Sequence, residues 1–137
     1  MKKLLLVPMM VVMLAFSTSV MAADFAKSLT FAWEQATTDL PNLQGWGLYV
    51  MTTSGGTKPA PIPVTYTSGS GPFQASQSFT VTGLPGTTVR RFFVLDAVGK
   101  DTKRSGFSNE VFYDFVIPYS PVTTPVSLTV TATIIVP

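Results

Sequence analysis

Ser28-Leu29-Thr30-Phe31-Ala32-Trp33-Glu34 places an apolar side chain at every second position. Successive residues of an extended strand point to opposite faces, so Leu29, Phe31 and Trp33 share one face, and Thr30, Ala32 and Glu34 share the other. The same period returns in Trp46-Gly47-Leu48-Tyr49-Val50, which groups Trp46, Leu48 and Val50. It returns again in Ser78-Phe79-Thr80-Val81-Thr82, which ends at Gly83. Arg91 to Val98 reads as a further strand with Phe93, Leu95 and Ala97 inward, and Glu110 to Ile117 as another. Val64-Thr65-Tyr66 reads as a short strand. Ser54-Gly55-Gly56-Thr57 and Ser68-Gly69-Ser70-Gly71-Pro72 punctuate the pattern as turns. Pro59, Pro61 and Pro63 cannot donate to a ladder, so their stretch belongs to an edge strand or an irregular connection. No useful window beyond the N-terminal segment carries a 3.6-residue period. The expectation is an all-β chain, a sandwich or barrel of short strands.

Residues outside this region have other readings. Met1-Lys2-Lys3 followed by the 13-residue apolar run Leu4–Phe16 and the small-residue stretch up to Ala22 has the layout of a secretory signal peptide, with cleavage expected after Ala22 or, next best, after Ala23. The run is shorter than the ~20 residues of a membrane span, so no stable membrane span is expected once residues 1–22 are removed. An exported protein, periplasmic or extracellular, follows. Without residues 1–22 the chain keeps seven acidic and seven basic residues and is formally neutral, so the whole-chain pI near 9.0 gives no footing to a nucleic-acid partner.

Composition also limits chemistry. The chain of 137 residues has no His and no Cys. A Ser-His-Asp triad, a Cys nucleophile, an ordinary zinc or haem site and a disulfide are therefore excluded. Asp39, Asp96 and Asp101 lack the Asp-x-Asp spacing of a calcium loop. Neither Gly-rich stretch precedes a helix or carries a phosphate-binding Lys. Seven scattered acids offer little to a glycosidase. The expectation is no enzyme and no cofactor.

Thr80-Val81-Thr82-Gly83-Leu84-Pro85-Gly86-Thr87-Thr88, a strand ending in Ala97-Val98, a polar loop and then Ser105-Gly106-Phe107-Ser108-Asn109-Glu110-Val111 together resemble the second half of a fibronectin type III domain. Leu29-Thr30-Phe31-Ala32-Trp33 resembles that family's second strand with its core tryptophan, and Gly45-Trp46-Gly47-Leu48-Tyr49-Val50 its third. The resemblance spans residues 28–117. It implies an immunoglobulin-like β-sandwich of about seven strands that acts as a binding, spacing or adhesive module without catalytic residues. Two features depart from the family. Val89, Arg90 and Arg91 occupy the window where a tyrosine commonly braces the corner, so another brace or a bulge is required. The first strand is truncated, because only Ala23 to Lys27 precede Ser28.

The domain is thus expected over residues 23–117, with a Pro-rich linker over 118–125 and an extra C-terminal strand over 126–137. In that tail Val126, Leu128, Val130, Ala132, Ile134 and Val136 alternate with Ser127, Thr129, Thr131 and Thr133. An edge left bare by a missing first strand seeks a partner. The tail could supply one within its own domain or, by strand addition, to a neighbour, giving self-association or a structural subunit of an envelope assembly. The candidate strand-pairing residues are Val126, Leu128, Val130, Ile134 and Val136. The candidate partner-binding loop is Lys100, Asp101, Lys103 and Arg104, whose basic character suits a protein or an anionic polysaccharide at the cell envelope. Trp33 and Trp46 lie on the inferred apolar faces and read as core.

Overall fold

A computed structural model of the chain describes residues 20–119. Six strands occur among them: β1 (Ala23–Trp33), β2 (Leu43–Met51), β3 (Ile62–Thr65), β4 (Phe73–Gly83), β5 (Thr88–Gly99) and β6 (Val111–Val116). One 3-10 turn, Leu40–Asn42, precedes β2. The strands form two antiparallel sheets, β1-β4 and β3-β2-β5-β6. The chain is all-β, and its two sheets are consistent with a β-sandwich.

β1 and β4 pair over their whole length, from Ala23 opposite Gly83 to Trp33 opposite Phe73. Phe25, Leu29, Phe31 and Trp33 on β1 turn inward with Phe73, Phe79 and Val81 on β4. The outer face is Ser, Thr, Ala, Gln and Asp, and there Thr30 and Ser76 share a 2.8 Å hydroxyl hydrogen bond. The sequence reading differs at one end. Ala23 to Lys27, expected to be too few for a paired strand, form the first half of β1 and pair with Lys27's opposite number Phe79 through Gly83. They succeed because they continue an existing ladder, so no new turn has to be closed. Six strands are described where about seven were expected. The extra strand expected over 126–137, and the segment expected to be a signal, lie outside the described residues apart from 20–22.

The inter-sheet core forms around Phe93, Phe115, Ile117, Leu48 and Val81. Phe93 is 1% exposed, and its ring lies 5.0 Å from Phe31 and 5.3 Å from Phe79, centroid to centroid. Full burial of each such side chain stabilises the fold by ~1.5–3 kcal/mol. β3 carries Pro63 and lies at the sheet edge beside β2, where a missing N–H costs nothing.

The corner between β4 and β5, which lacks a bracing tyrosine in the sequence, is held differently. The Thr87 amide and hydroxyl both donate to the Leu84 carbonyl, at 3.0 and 2.5 Å. Gly86 takes φ +80°, a conformation glycine adopts without steric cost, and its amide donates to the Ile117 carbonyl at 2.7 Å. The Ile117 amide returns a bond to Thr87. The end of β6 thus closes the corner.

Candidate functional site

The outer face of the four-stranded sheet is not the wet face that strand alternation leads one to expect. β2 is buried on both sides: Trp46 and Leu48 face the core, while Tyr49 and Met51 face outward and are still covered. With Phe92 and Val94 of β5 they make a second apolar cluster.

Beside that cluster sits a buried acid. Asp96 is 3% exposed at an outward position of β5. A buried carboxylate must be matched by hydrogen bonds and a counter-charge. Arg104 Nη1 donates to Asp96 Oδ1 at 2.9 Å and to Oδ2 at 3.1 Å, and also to the Tyr49 hydroxyl at 3.1 Å. The Tyr49 hydroxyl in turn donates to Asp96 Oδ2 at 3.1 Å. Burial first, and then the bond to Asp96, push the Tyr49 hydroxyl pKa upward. The hydrogen bond to Asp96 raises that of Arg104 further. Gly47 makes room for this group. A Cβ there would meet Asp96 Oδ1 at 2.7 Å, Arg104 Nη1 at 2.8 Å and Pro61 Cβ at 2.9 Å.

The loop after β5 delivers Arg104. Gly99 and Lys103 close it through a 2.9 Å amide-to-carbonyl bond, with Thr102 at φ 67°. Of the candidate binding residues, Arg104 turns back onto Asp96. The Lys100 ammonium donates to the Pro41 carbonyl at 2.8 Å. Asp101 accepts from the Lys103 amide at 3.1 Å and faces its ammonium at 4.0 Å. Lys103 stays out in solvent, its side chain 86% exposed. The loop is therefore a fastened hairpin whose most exposed cation, Lys103, is paired loosely with Asp101. The tail candidates Val126, Leu128, Val130, Ile134 and Val136 lie outside the described residues.

Past Arg104 the chain runs along β5 without forming a regular strand. The Ser105 and Ser108 amides donate to the Ala97 and Leu95 carbonyls, and their hydroxyls accept from the Ala97 and Leu95 amides. Two serines thereby satisfy backbone groups that a strand would have satisfied. This path carries Phe107 onto Tyr49, edge to face at 5.2 Å. Lys58 Nζ lies 4.6 Å from the centre of the Phe107 ring. Further along, Phe112 packs on Phe92 at 6.3 Å, with the Arg90 guanidinium 4.0 Å over its ring. Arg90 also pairs bidentately with Asp114, at 2.6 and 2.7 Å, and this holds the Asp114 carboxyl below its ordinary pKa. Glu110 accepts from the Ser54 hydroxyl and the Gly55 amide, which lowers its pKa and pins the β2–β3 turn to the start of β6.

The result is a face with an exposed apolar strip. Phe107 is 51% exposed, Phe112 56% and Val116 60%. Sequence reading placed Phe107 in the family resemblance but singled out neither phenylalanine as a surface residue. The legible signal was Asp96, a lone acid inside Phe92-Phe93-Val94-Leu95-Asp96-Ala97-Val98, which requires a cation from nearby.

At the opposite end of β2, Trp33, Trp46, Tyr66 and Phe73 stack at 4.8–6.3 Å. Trp46 is 4% exposed and donates to Gln35 Oε1 at 3.1 Å, so it is core. Trp33 is half-buried, and its indole N–H is buried with no partner among the described residues. Among those residues no three Asp or Glu side chains gather as metal ligands, and no helix is long and apolar enough to cross a membrane. Asp96, one of the acids weighed for metal, is engaged by Arg104. Comparison with protein-family models, with curated proteins and with solved structures finds no match to this chain.

Proposed function

We propose that this chain is an exported, non-catalytic module of the fibronectin type III kind that works by surface contact in the periplasm or outside the cell. The pairing of β1 with β4, of β2 with β5 and of β5 with β6 supports the fold reading, because that family's sandwich needs those neighbours. The observation that carries the contact reading is the strip of Phe107, Phe112 and Val116. Phe107 and Phe112 are half open to water, each with a cation against its ring, and Val116 lies beyond the Arg90–Asp114 pair, so the face has the mixed apolar and charged composition of a contact patch. The partner is a protein of the cell envelope.

Purified full chain should bind an envelope preparation, and protease treatment of that preparation should abolish the binding. Phe107→Ser with Phe112→Ser should weaken it by about tenfold or more, which is ~1.4 kcal/mol. A Lys100→Glu, Lys103→Glu chain should bind nearly as the parent does. Binding that survives protease, falls with salt and is lost in the lysine variant would instead identify an anionic polysaccharide held by the loop.

A further inference from the structure

The connection from β1 to β2 and the hairpin after β5 lie side by side and are stitched together. Residues 36–42 close on themselves: the Asp39 amide donates to the Ala36 carbonyl and the Asn42 amide to the Asp39 carbonyl, each at 3.0 Å. The Lys100 amide donates to the Asn42 carbonyl at 2.8 Å, and the Lys100 ammonium to that of Pro41 at 2.8 Å. These bonds fix the spacing of the two loops. Between them is a recess of about 330 Å³, with Thr38 and Asp39 on one rim and Lys103, Arg104 and Ser105 on the other.

Networks that start in buried side chains hold an acid and a base on this recess. Trp46, 4% exposed, donates its indole N–H to Gln35 Oε1 at 3.1 Å, and Gln35 Nε2 donates to Asp39 Oδ2 at 2.8 Å. The core tryptophan thus orients Gln35, and Gln35 orients Asp39. Asp39 Oδ1 accepts from no donor among the described residues. Arg104 is oriented by Asp96 and Tyr49 through Nη1 alone. Its Nε and Nη2, the pair of donors that grips a carboxylate bidentately, have no acceptor among the described residues, and its side chain is 44% exposed. Groups oriented beforehand lose little entropy when a ligand arrives. Lys103 adds a second cation, since an exposed pair at 4.0 Å, such as that with Asp101, holds it weakly.

We propose that this recess binds a small zwitterion, an amino acid or a short peptide with both termini unblocked, its ammonium on Asp39 and its carboxylate on Arg104 and Lys103. The lining disfavours other classes. A simple anion would meet the Asp39 carboxylate, and a simple cation the Arg104 guanidinium and Lys103 ammonium. A metal ion would find one carboxylate there. A sugar ring would find no aromatic side chain to stack on, because the apolar lining is Leu43 and Ala97. Opposite charges on facing rims are both matched only by a ligand that carries both.

Isothermal titration of the full chain with dialanine should show saturable single-site binding with a Kd of about 1 mM or tighter. N-acetyl-dialanine lacks the ammonium and dialanine amide lacks the carboxylate, and each should bind at least about tenfold more weakly. Asp39→Asn keeps an oxygen for Gln35 and should abolish the preference for the unblocked amine. Lys103→Gln should reduce the preference for the carboxylate over the amide. Both positions are exposed, so the variants should melt as the parent does. Alanine run beside dialanine separates the two sources, the tighter binder being the occupant. No binding of either up to about 10 mM would overturn the proposal. So would equal binding of the acetylated peptide or of the amide, and tighter binding of glucose or glucuronate would make the recess a saccharide site instead. The recess shares no residue with the phenylalanine strip, so these outcomes do not depend on whether that strip binds an envelope protein.

Discussion

The outward faces of the two sheets are opposites. On β1 and β4 it is a lattice of hydroxyls and amides, open to water, with Thr30 bonded to Ser76 and Thr82 to Asp24. On β2 and β5 it is Tyr49, Met51, Phe92 and Val94 with Asp96 held by Arg104, roofed by the segment from Arg104 to Phe107. The difference shows that one chain uses its sheets for different work. One sheet is a lid on the core. The other is a core strand layer on both sides, and its roof is where apolar surface reaches solvent.

Substitutions should sort by which layer they touch. Between the sheets, Phe93→Ala removes the ring that Phe31 and Phe79 pack on, and chemical denaturation should show a loss of ~3–5 kcal/mol. A loss under 1 kcal/mol would mean the sheets do not share a core. On the roofed face, Gly47→Ala pushes a methyl into Asp96 and Arg104 and should cost ~1–3 kcal/mol. Its counterpart on the wet face, Thr30→Ala, should cost ~0.2–1 kcal/mol, the range of one cross-strand pair. Equal costs would erase the contrast between faces.

The smallest effect is in acid. Glu110 and Asp114 have folded pKa values below their ordinary ones, so the folded chain holds fewer protons than the unfolded one in this range. Their contribution is present above the unfolded carboxylate values, ~pH 4, and is lost as pH falls through the lowered folded values. Glu110→Gln should flatten the acid limb of the stability curve by lowering stability near pH 7, with little change below the folded pKa, where the carboxyl is already protonated. An unchanged acid limb would mean the turn at Ser54 and Gly55 is not pinned.

This contrast also decides what the sequence disclosed. β1, β4 and the inward side of β5 were legible because one face of each alternates with another of different polarity: Leu29, Phe31, Trp33, Phe79, Phe93 and Leu95 were all placed correctly. β2 was half legible. Trp46, Leu48 and Val50 declared their face, but Gly45, Gly47, Tyr49 and Met51 gave no sign of a roof, since glycine has no side chain to classify. The start of β1 was hidden by Asp24 and Lys27, which dilute the signal of Ala23 and Phe25. At the site, the cations of the loop were visible, but their targets were not. That Arg104 serves Asp96 and Lys100 serves Pro41 depends on the turn at Thr102, a matter of backbone conformation. Phe112 looked like any strand aromatic, because alternation gives its side of the sheet and not what covers it.

The account rests on two sheets meeting through one aromatic core, and inter-ring contacts in solution test this most directly. Nuclear Overhauser measurements on the full chain should link the Phe93 ring to both Phe31 and Phe79, and Phe79 to Phe115, whose centroids lie 5.0, 5.3 and 6.4 Å apart. Intact strand ladders without those cross-sheet contacts would contradict it.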